Sequence, residues 1–325
     1  MEQIITYKTL KFRRRFGIEI ELNKSIPKTS IVQAITDYSN HSVHSFSYGK
    51  SINNKLWHVK PDITCGENEE DLNGGWEVAS FVGHTPQDII HMGNVATALK
   101  AVGAKVNRFC GLHIHAEAID LMPFQVGVIL AHWIKTEHIL KYLVPAYRNF
   151  VHCELLSSVM QRAEGNNFRN RTYSSMELYN YFLPEIDEDG EDEPSDYRYK
   201  AINIINYYLA LNDRRRKRRT IELRLPESTL EADDIIGWVR LYLNFIEHAK
   251  DACMPSNLWV CDLRETMVHL GLGHDKNNFY LFGPSLNKTR IWFLQRLLKR
   301  LHSCSQTHET DLRIQAKKLL QEIKN

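Results

Sequence analysis

A chain of 325 residues suffices for one large domain, or for one domain with an appendage, and can bury a sizeable core. Hydrophobic residues at 43% and charged residues at 25% are ordinary for a globular protein, and no apolar run approaches the roughly 20 residues that a bilayer span requires, so no membrane-spanning helix is expected. A net charge of +2 does not mark the whole chain as a nucleic-acid binder.

In chain order, MEQIITYKTLKFRRR has no apolar core with a cleavage site after it, which predicts an intracellular protein. FGIEIELN then alternates, with Phe16, Ile18, Ile20 and Leu22 on one side and Glu19 and Glu21 on the other, the period of a half-buried strand. Residues 24–55 carry no readable motif and are taken as a loop. WHVKPDIT and GWEVASFV predict two strands joined as a hairpin through the turn-rich CGENEEDLNGG. Thr85-Pro86-Gln87-Asp88 opens a helix with a capping threonine, and Ile89, Met92, Ala96, Leu99 and Val102 give it an apolar stripe. RFCGLHIHAEA returns to strand. Pro123 to Val144 is helical, with Val126, Leu130, Trp133, Leu140 and Val144 at helical spacing.

Residues 166–196 hold few apolar side chains and end in EIDEDGEDEPSD, which predicts an exposed, partly mobile loop. The basic block Arg214 to Arg219 leads into the alternating strand TIELRLPES, and Asp233 to Ala252 follows as a helix with Ile235, Trp238, Tyr242, Phe245 and Ala249 inward. Thr289 to His302 and Asp311 to Lys324 predict two further amphipathic helices. A boundary near residue 254 divides the chain into a catalytic domain, 1–253, and a small helical extension, 254–325. Six cysteines, at 65, 110, 153, 253, 261 and 304, form no CxxC pair and are expected as free thiols, with Cys110 small and buried.

Four of the strands place their unusual residues by one rule. Glu19 and Glu21, Glu77, His113 and His115, and Glu222 with Arg224 each alternate with apolar neighbours. If these strands lie in one antiparallel sheet, one face packs on helices and the other collects carboxylates, two imidazoles and an arginine. Bare carboxylates so placed raise one another's pKa, and divalent cations remove the conflict. An oxygen-rich, imidazole-containing set without thiolates suits Mg2+ or Mn2+ better than structural zinc. A merely solvated face would mix in Lys, Thr, Ser and Gln, which these segments largely lack.

The motifs FGIEIEL, WHVKPDIT followed by GGWEVAS, FCGLHIH, PAYRNF, RYKAIN and RTIELRLPESTLEADDIIGWV, in this order, resemble the amidoligases of the carboxylate-amine ligase superfamily over roughly residues 12 to 252. The resemblance implies an α+β, glutamine synthetase-like fold: an antiparallel sheet with helices packed on one face and a concave catalytic face that binds ATP and two divalent metals. Carried over residue by residue, it implies Glu19, Glu21, Glu77 and Glu222 as metal ligands. His113 matches a histidine that binds metal or nucleotide phosphate, and His115 its neighbour facing the nucleotide. Arg224 faces the phosphoryl group and substrate carboxylate, and Arg148 binds substrate. Asp62 falls between a metal and a substrate-amine role, and Glu67, Glu69 or Glu70 stands where glutamine synthetase has one more ligand.

The chemistry so implied is ATP-dependent amide formation through an acyl phosphate, on small-molecule or peptide carboxylates and amines. Arg218 and Arg219, nearest the strand, would add fixed positive charge to the phosphates, unless the basic block is simply a solvated loop, and Asn203 with Tyr199 would either orient the substrate or base or cap the core as helix residues. The basic block keeps nucleic acid among the candidate partners. A homo-oligomer is compatible with the resemblance, because the superfamily includes rings and smaller assemblies. Two competing readings use the same residues: a metal-dependent hydrolase or nuclease, which needs no ATP, and a non-catalytic binding module.

Overall fold

The alternating segment Phe16–Asn23 (β1) forms the middle strand of a seven-stranded sheet. The computed structural model describes residues 14–39, 43–45, 55–66, 74–149, 153–183, 199–213, 219–273, 286–301 and 307–324. The other strands are Val43–Ser45 (β2), Trp57–Asp62 (β3), Gly75–Ala79 (β4), Leu112–Glu117 (β5), Ile202–Asn203 (β6) and Thr220–Leu223 (β7). Across the sheet they run β2-β3-β4-β1-β5-β7-β6. The expected β3–β4 hairpin is present, and every pairing between these seven strands but one is antiparallel. The exception is β2, which lies parallel to β3 at the edge and makes the sheet mixed where the sequence predicts an antiparallel one. The helix Lys28–Ser39 (α1) returns the chain after β1, so β2 sets out in the same direction as β1.

Register decides which residues share a face. Ile18 pairs with Ile114, Ile20 with Val78 and Leu112, and Leu223 with Ile114, so the apolar halves of the alternating strands meet. Ile20, Val59, Val78, Leu112, Ile114 and Ile221 are fully buried. Each such side chain contributes roughly 1.5–3 kcal/mol by leaving water. A one-residue slip would turn this layer to the opposite face, so the burial also fixes the position of the polar residues.

Helices Pro86–Ala101 (α2), Pro123–Leu140 (α3) and Ala232–Ala249 (α7) share the hydrophobic core with the apolar layer. Thr85 caps α2 as predicted, its hydroxyl accepting from Asp88 N while the Asp88 carboxylate accepts from Thr85 N. Ile89, Met92, Ala96 and Leu99 are buried, but Val102 follows the helix and is exposed, so it leaves the predicted stripe. The inward residues predicted for α3 and α7 are all buried.

Two segments predicted as loops contain helices. Within 24–55, α1 buries Ile31, Ala34 and Ile35. Within 166–196, Ser175–Tyr181 (α5) packs on α3, and Phe168, Leu178 and Tyr179 join the core. The acidic run 185–196 lies outside the described residues. Leu156–Glu164 (α4) and Ile205–Asn212 (α6) complete the middle of the chain.

Beyond residue 254 come Leu263–His269 (α8), Leu286–Leu301 (α9) and Thr307–Lys324 (α10). Their inward residues Leu263, Phe293, Leu297, Leu312 and Ala316 belong to the same hydrophobic cluster as the sheet. Trp292 of α9 lies against Gly237 of α7 and meets Trp238 edge to face, with ring centroids 5.4 Å apart. Arg296 of α9 is buried beside Glu227 and Asp234.

Candidate active site

The strand register brings the predicted polar residues together. Glu21 pairs across with Glu77, Glu19 with His113, His115 with Glu222, and Glu222 with Asn203. Residues paired in register point to the same side, so these side chains occupy the face opposite the apolar layer. Lys60 and Asp62 of β3 belong to it too, because Lys60 pairs with Glu77.

His113 is the hub. Its Nδ1 is 3.4 Å from Glu19 and 3.5 Å from Glu222, and its Nε2 is 3.4 Å from Glu21. His115 Nε2 lies 3.3 Å from Glu19. Arg224 holds Glu222 at 2.7 Å and Lys60 holds Glu77 at 2.8 Å. Gly111 N donates to Glu21, and the close approach of Arg148 and His113 to Gly111 demands a residue without a side chain, since a Cβ there would lie 2.4 Å from the Arg148 guanidinium.

The charges are strongly coupled. Burial works against the Glu19 charge, but His115 and His113 hold its carboxyl well below the usual range. Burial likewise opposes the charge of Glu222, yet Arg224, His115 and His113 keep its pKa low. Burial disfavours protonation of His115, and the attraction of Glu19 and Glu222 overrides it and lifts the pKa to about 9. Glu77 goes the other way: burial and the Glu19 charge push it up to about 8, against the pull of Lys60. Arg224 is raised by Glu222, Glu21 and Glu19 despite its burial. Protonated His115, Lys60 and Arg224 thus offset the carboxylates.

Glu19, His113 and Glu222 each offer one ligand atom, and the three atoms lie within 4.8 Å of one another, as do those of Glu21, Asp62 and Cys65. Contact with Cys110 and burial push the Cys65 thiol far above its ordinary range. Carboxylate oxygens with one imidazole fit Mg2+ or Mn2+.

Several predicted residues have definite places. Asp62 accepts from Thr64 N and Oγ1 at 2.8 and 2.7 Å, which leaves its second oxygen for Glu21's side of the site. Arg148 is buried and donates to the carbonyls of Arg224 (2.9 Å) and Pro226 (3.2 Å), so it fastens the strand end that carries Arg224. Asn203 donates to Glu222 at 2.8 Å and accepts from Ile205 N, which puts it behind Glu222 as a positioning residue. Tyr199 lies under the Arg224 guanidinium, 5.8 Å from it. Arg218, Glu67, Glu69 and Glu70 lie outside the described residues, as do all members of the basic block except Arg219.

A cavity of about 160 Å³ opens beside the carboxylate cluster. Glu19 and His115 line it together with Arg219, Arg15, Glu117 and Asn206, while Val82 and Ile119 add apolar walls. His115 and Arg219, both expected at the nucleotide, thus face one space. Lys60 and Asn206 were missed by the sequence reading. Lys60 was accessible through its alternation with Asp62 in WHVKPDIT, whereas Asn206 enters the cavity from a helix whose pairing with the sheet is not written in its own segment.

A family model described as "Putative amidoligase enzyme" matches residues 12–246, a span that contains every one of these side chains. No curated protein matches the chain.

Proposed function

The chain belongs to this amidoligase family, and from that membership we propose that it is an ATP-dependent carboxylate-amine ligase working through an acyl phosphate. The observation that carries the reading is the convergence of Glu19, His113 and Glu222 at the edge of a cavity that also exposes His115 and Arg219.

Glu19, Glu21, Glu77, His113 and Glu222 would hold two divalent cations, Mg2+ or Mn2+. Bound there, such ions neutralise phosphate oxygens and polarise the transferring phosphoryl group. The triphosphate would enter along the cavity with its inner end at Glu19 and His115, and Arg219 would bind the outer phosphates or ribose. The polar and apolar lining, with Val82 and Ile119 beside Asn206, suits a heterocyclic base.

In the first step an oxygen of the substrate carboxylate bonds to the γ-phosphorus while the bond to the bridging oxygen of ADP breaks. Arg224, fixed by Glu222 and backed by Arg148, orients that carboxylate and balances charge on the phosphoryl oxygens. In the second step the amine nitrogen attacks the acyl carbon, phosphate leaves, and the amine proton passes to a base. Asp62, on the same face as Glu77, would favour a cationic amine on that side.

Metal-loaded protein incubated with ATP and pools of carboxylates and amines is expected to release ADP and phosphate only when both substrate types are present. Cleavage of phosphodiester or peptide substrates with nucleotide absent would instead favour a hydrolase.

A further inference from the structure

Outside the sheet, Glu265 and His269 stand four positions apart on one face of α8, and the buried Cys261 lies just before the Asp262 that caps the helix. Sγ of Cys261, a carboxylate oxygen of Glu265 and a ring nitrogen of His269 lie within 4.8 Å of one another.

Hydrogen bonding fixes which nitrogen of His269 is available. His132 Nε2 lies 3.0 Å from the carbonyl of Cys253, and a carbonyl only accepts, so Nε2 carries the His132 proton and its Nδ1 has a lone pair. That Nδ1 faces His269 Nδ1 at 2.9 Å, so His269 donates from Nδ1. The remaining lone pair of His269 sits on Nε2, and Nε2 points at the Glu265 carboxylate, 3.4 Å away. Two acceptors face each other.

We propose that Cys261, Glu265 and His269 form a metal site separate from the carboxylate cluster, binding a borderline divalent cation of the Zn2+ type through sulfur, oxygen and His269 Nε2. The arrangement has two features of such sites: three protein ligand atoms within reach of one ion, and a partner hydrogen-bonded to the far nitrogen of the ligating ring. Here that partner is His132, oriented in turn by the Cys253 carbonyl. His138 Nε2, 2.7 Å from the Cys261 carbonyl, steadies the segment carrying the thiol. Glu265 keeps 53% of its side chain exposed, which gives an ion access from solvent. On binding, the Cys261 thiol yields its proton to solvent. Lys135, 3.8 Å from Glu265 and 3.4 Å from Asn257, is the competing cation, and its flexible stem lets it withdraw toward Asn257. A sulfur ligand separates this site in chemical class from the oxygen-rich set on the sheet.

The test is titration of metal-stripped, full-length protein with Co2+, read by the thiolate-to-cobalt charge-transfer band, with Zn2+ then used to displace it. The expected result is a band that saturates at one equivalent, disappears in Cys261→Ser, and needs at least tenfold more metal in His269→Asn and Glu265→Gln. His132→Phe, which removes only the orienting partner, is expected to weaken binding about 10–100-fold. Glu265 is exposed, so Glu265→Gln stays informative should the buried cysteine variant fail to fold. Absence of the band in the wild-type protein, its survival in folded Cys261→Ser, or unchanged metal affinity in Glu265→Gln would overturn the proposal.

Discussion

Single side chains at this site answer to their neighbours across strands rather than along the chain. Glu222 touches His113, Asn203 and Arg224, so Glu222→Gln removes a proposed metal ligand and also unfastens the arginine. The expected outcome is a fall of about a hundredfold or more in ADP release with secondary structure intact, the scale at which preorganised charges at such centres contribute. A different carboxylate reports on stability. Glu137 is fully buried in α3 and accepts from Trp133 Nε1, Leu156 N and Ser157 N, yet burial pushes its pKa up from 4.5 to about 7. The folded protein therefore holds this proton where the unfolded chain has lost it. Its contribution is fully present below the unfolded pKa and is lost as pH rises through the folded one, by roughly 3 kcal/mol in all. Glu137→Gln is expected to flatten that portion of a stability–pH profile measured by denaturant unfolding; an unchanged slope would remove Glu137 as its source. The positions of Glu19, Glu21, Glu77, His113, His115 and Glu222 were legible because alternation alone assigns a face. The partner that each finds on that face was not. Asn203 could be read as orienting substrate or base or as a helix residue capping the core; it lies on β6 and donates to Glu222, because the β6–β7 pairing joins segments separated by the basic block.

Elements with a strong period were readable, and those whose apolar stripe is short were not. The helices α2, α3 and α7 each bury a long stripe, whereas α1 inserts chiefly Ile31, Ala34 and Ile35, and α5 has only seven residues. Both need their tertiary partners to stand out. The parallel placement of β2 was invisible for the same reason, because direction follows from α1. Contact between elements gives a direct test at Gly237, where α9 lays Trp292 against α7. A Cβ at this position would fall 2.1 Å from indole atoms. Gly237→Ala is expected to cost about 1–3 kcal/mol in chemical denaturation through that overlap. An unaltered midpoint would mean that Trp292 moves aside freely and that the α7–α9 contact contributes little.

At the scale of the whole molecule, one layer of apolar side chains orders the helices while its reverse collects the chemistry, so folding itself assembles the site. The nearly balanced net charge hides this, because the carboxylates of the sheet and the arginines around them cancel in the sum. No described helix is long and apolar enough to cross a membrane. The family match spans the sheet and the helices up to residue 246, and α8 to α10 lie beyond it. The central claim is that the polar face takes ATP together with divalent metal. Calorimetric titration of the protein with a non-hydrolysable ATP analogue, with and without Mg2+, tests it before any substrate is identified. Metal-dependent binding that weakens at least tenfold in Glu19→Gln is the expected result; no binding by the wild-type protein with Mg2+ present would contradict the account.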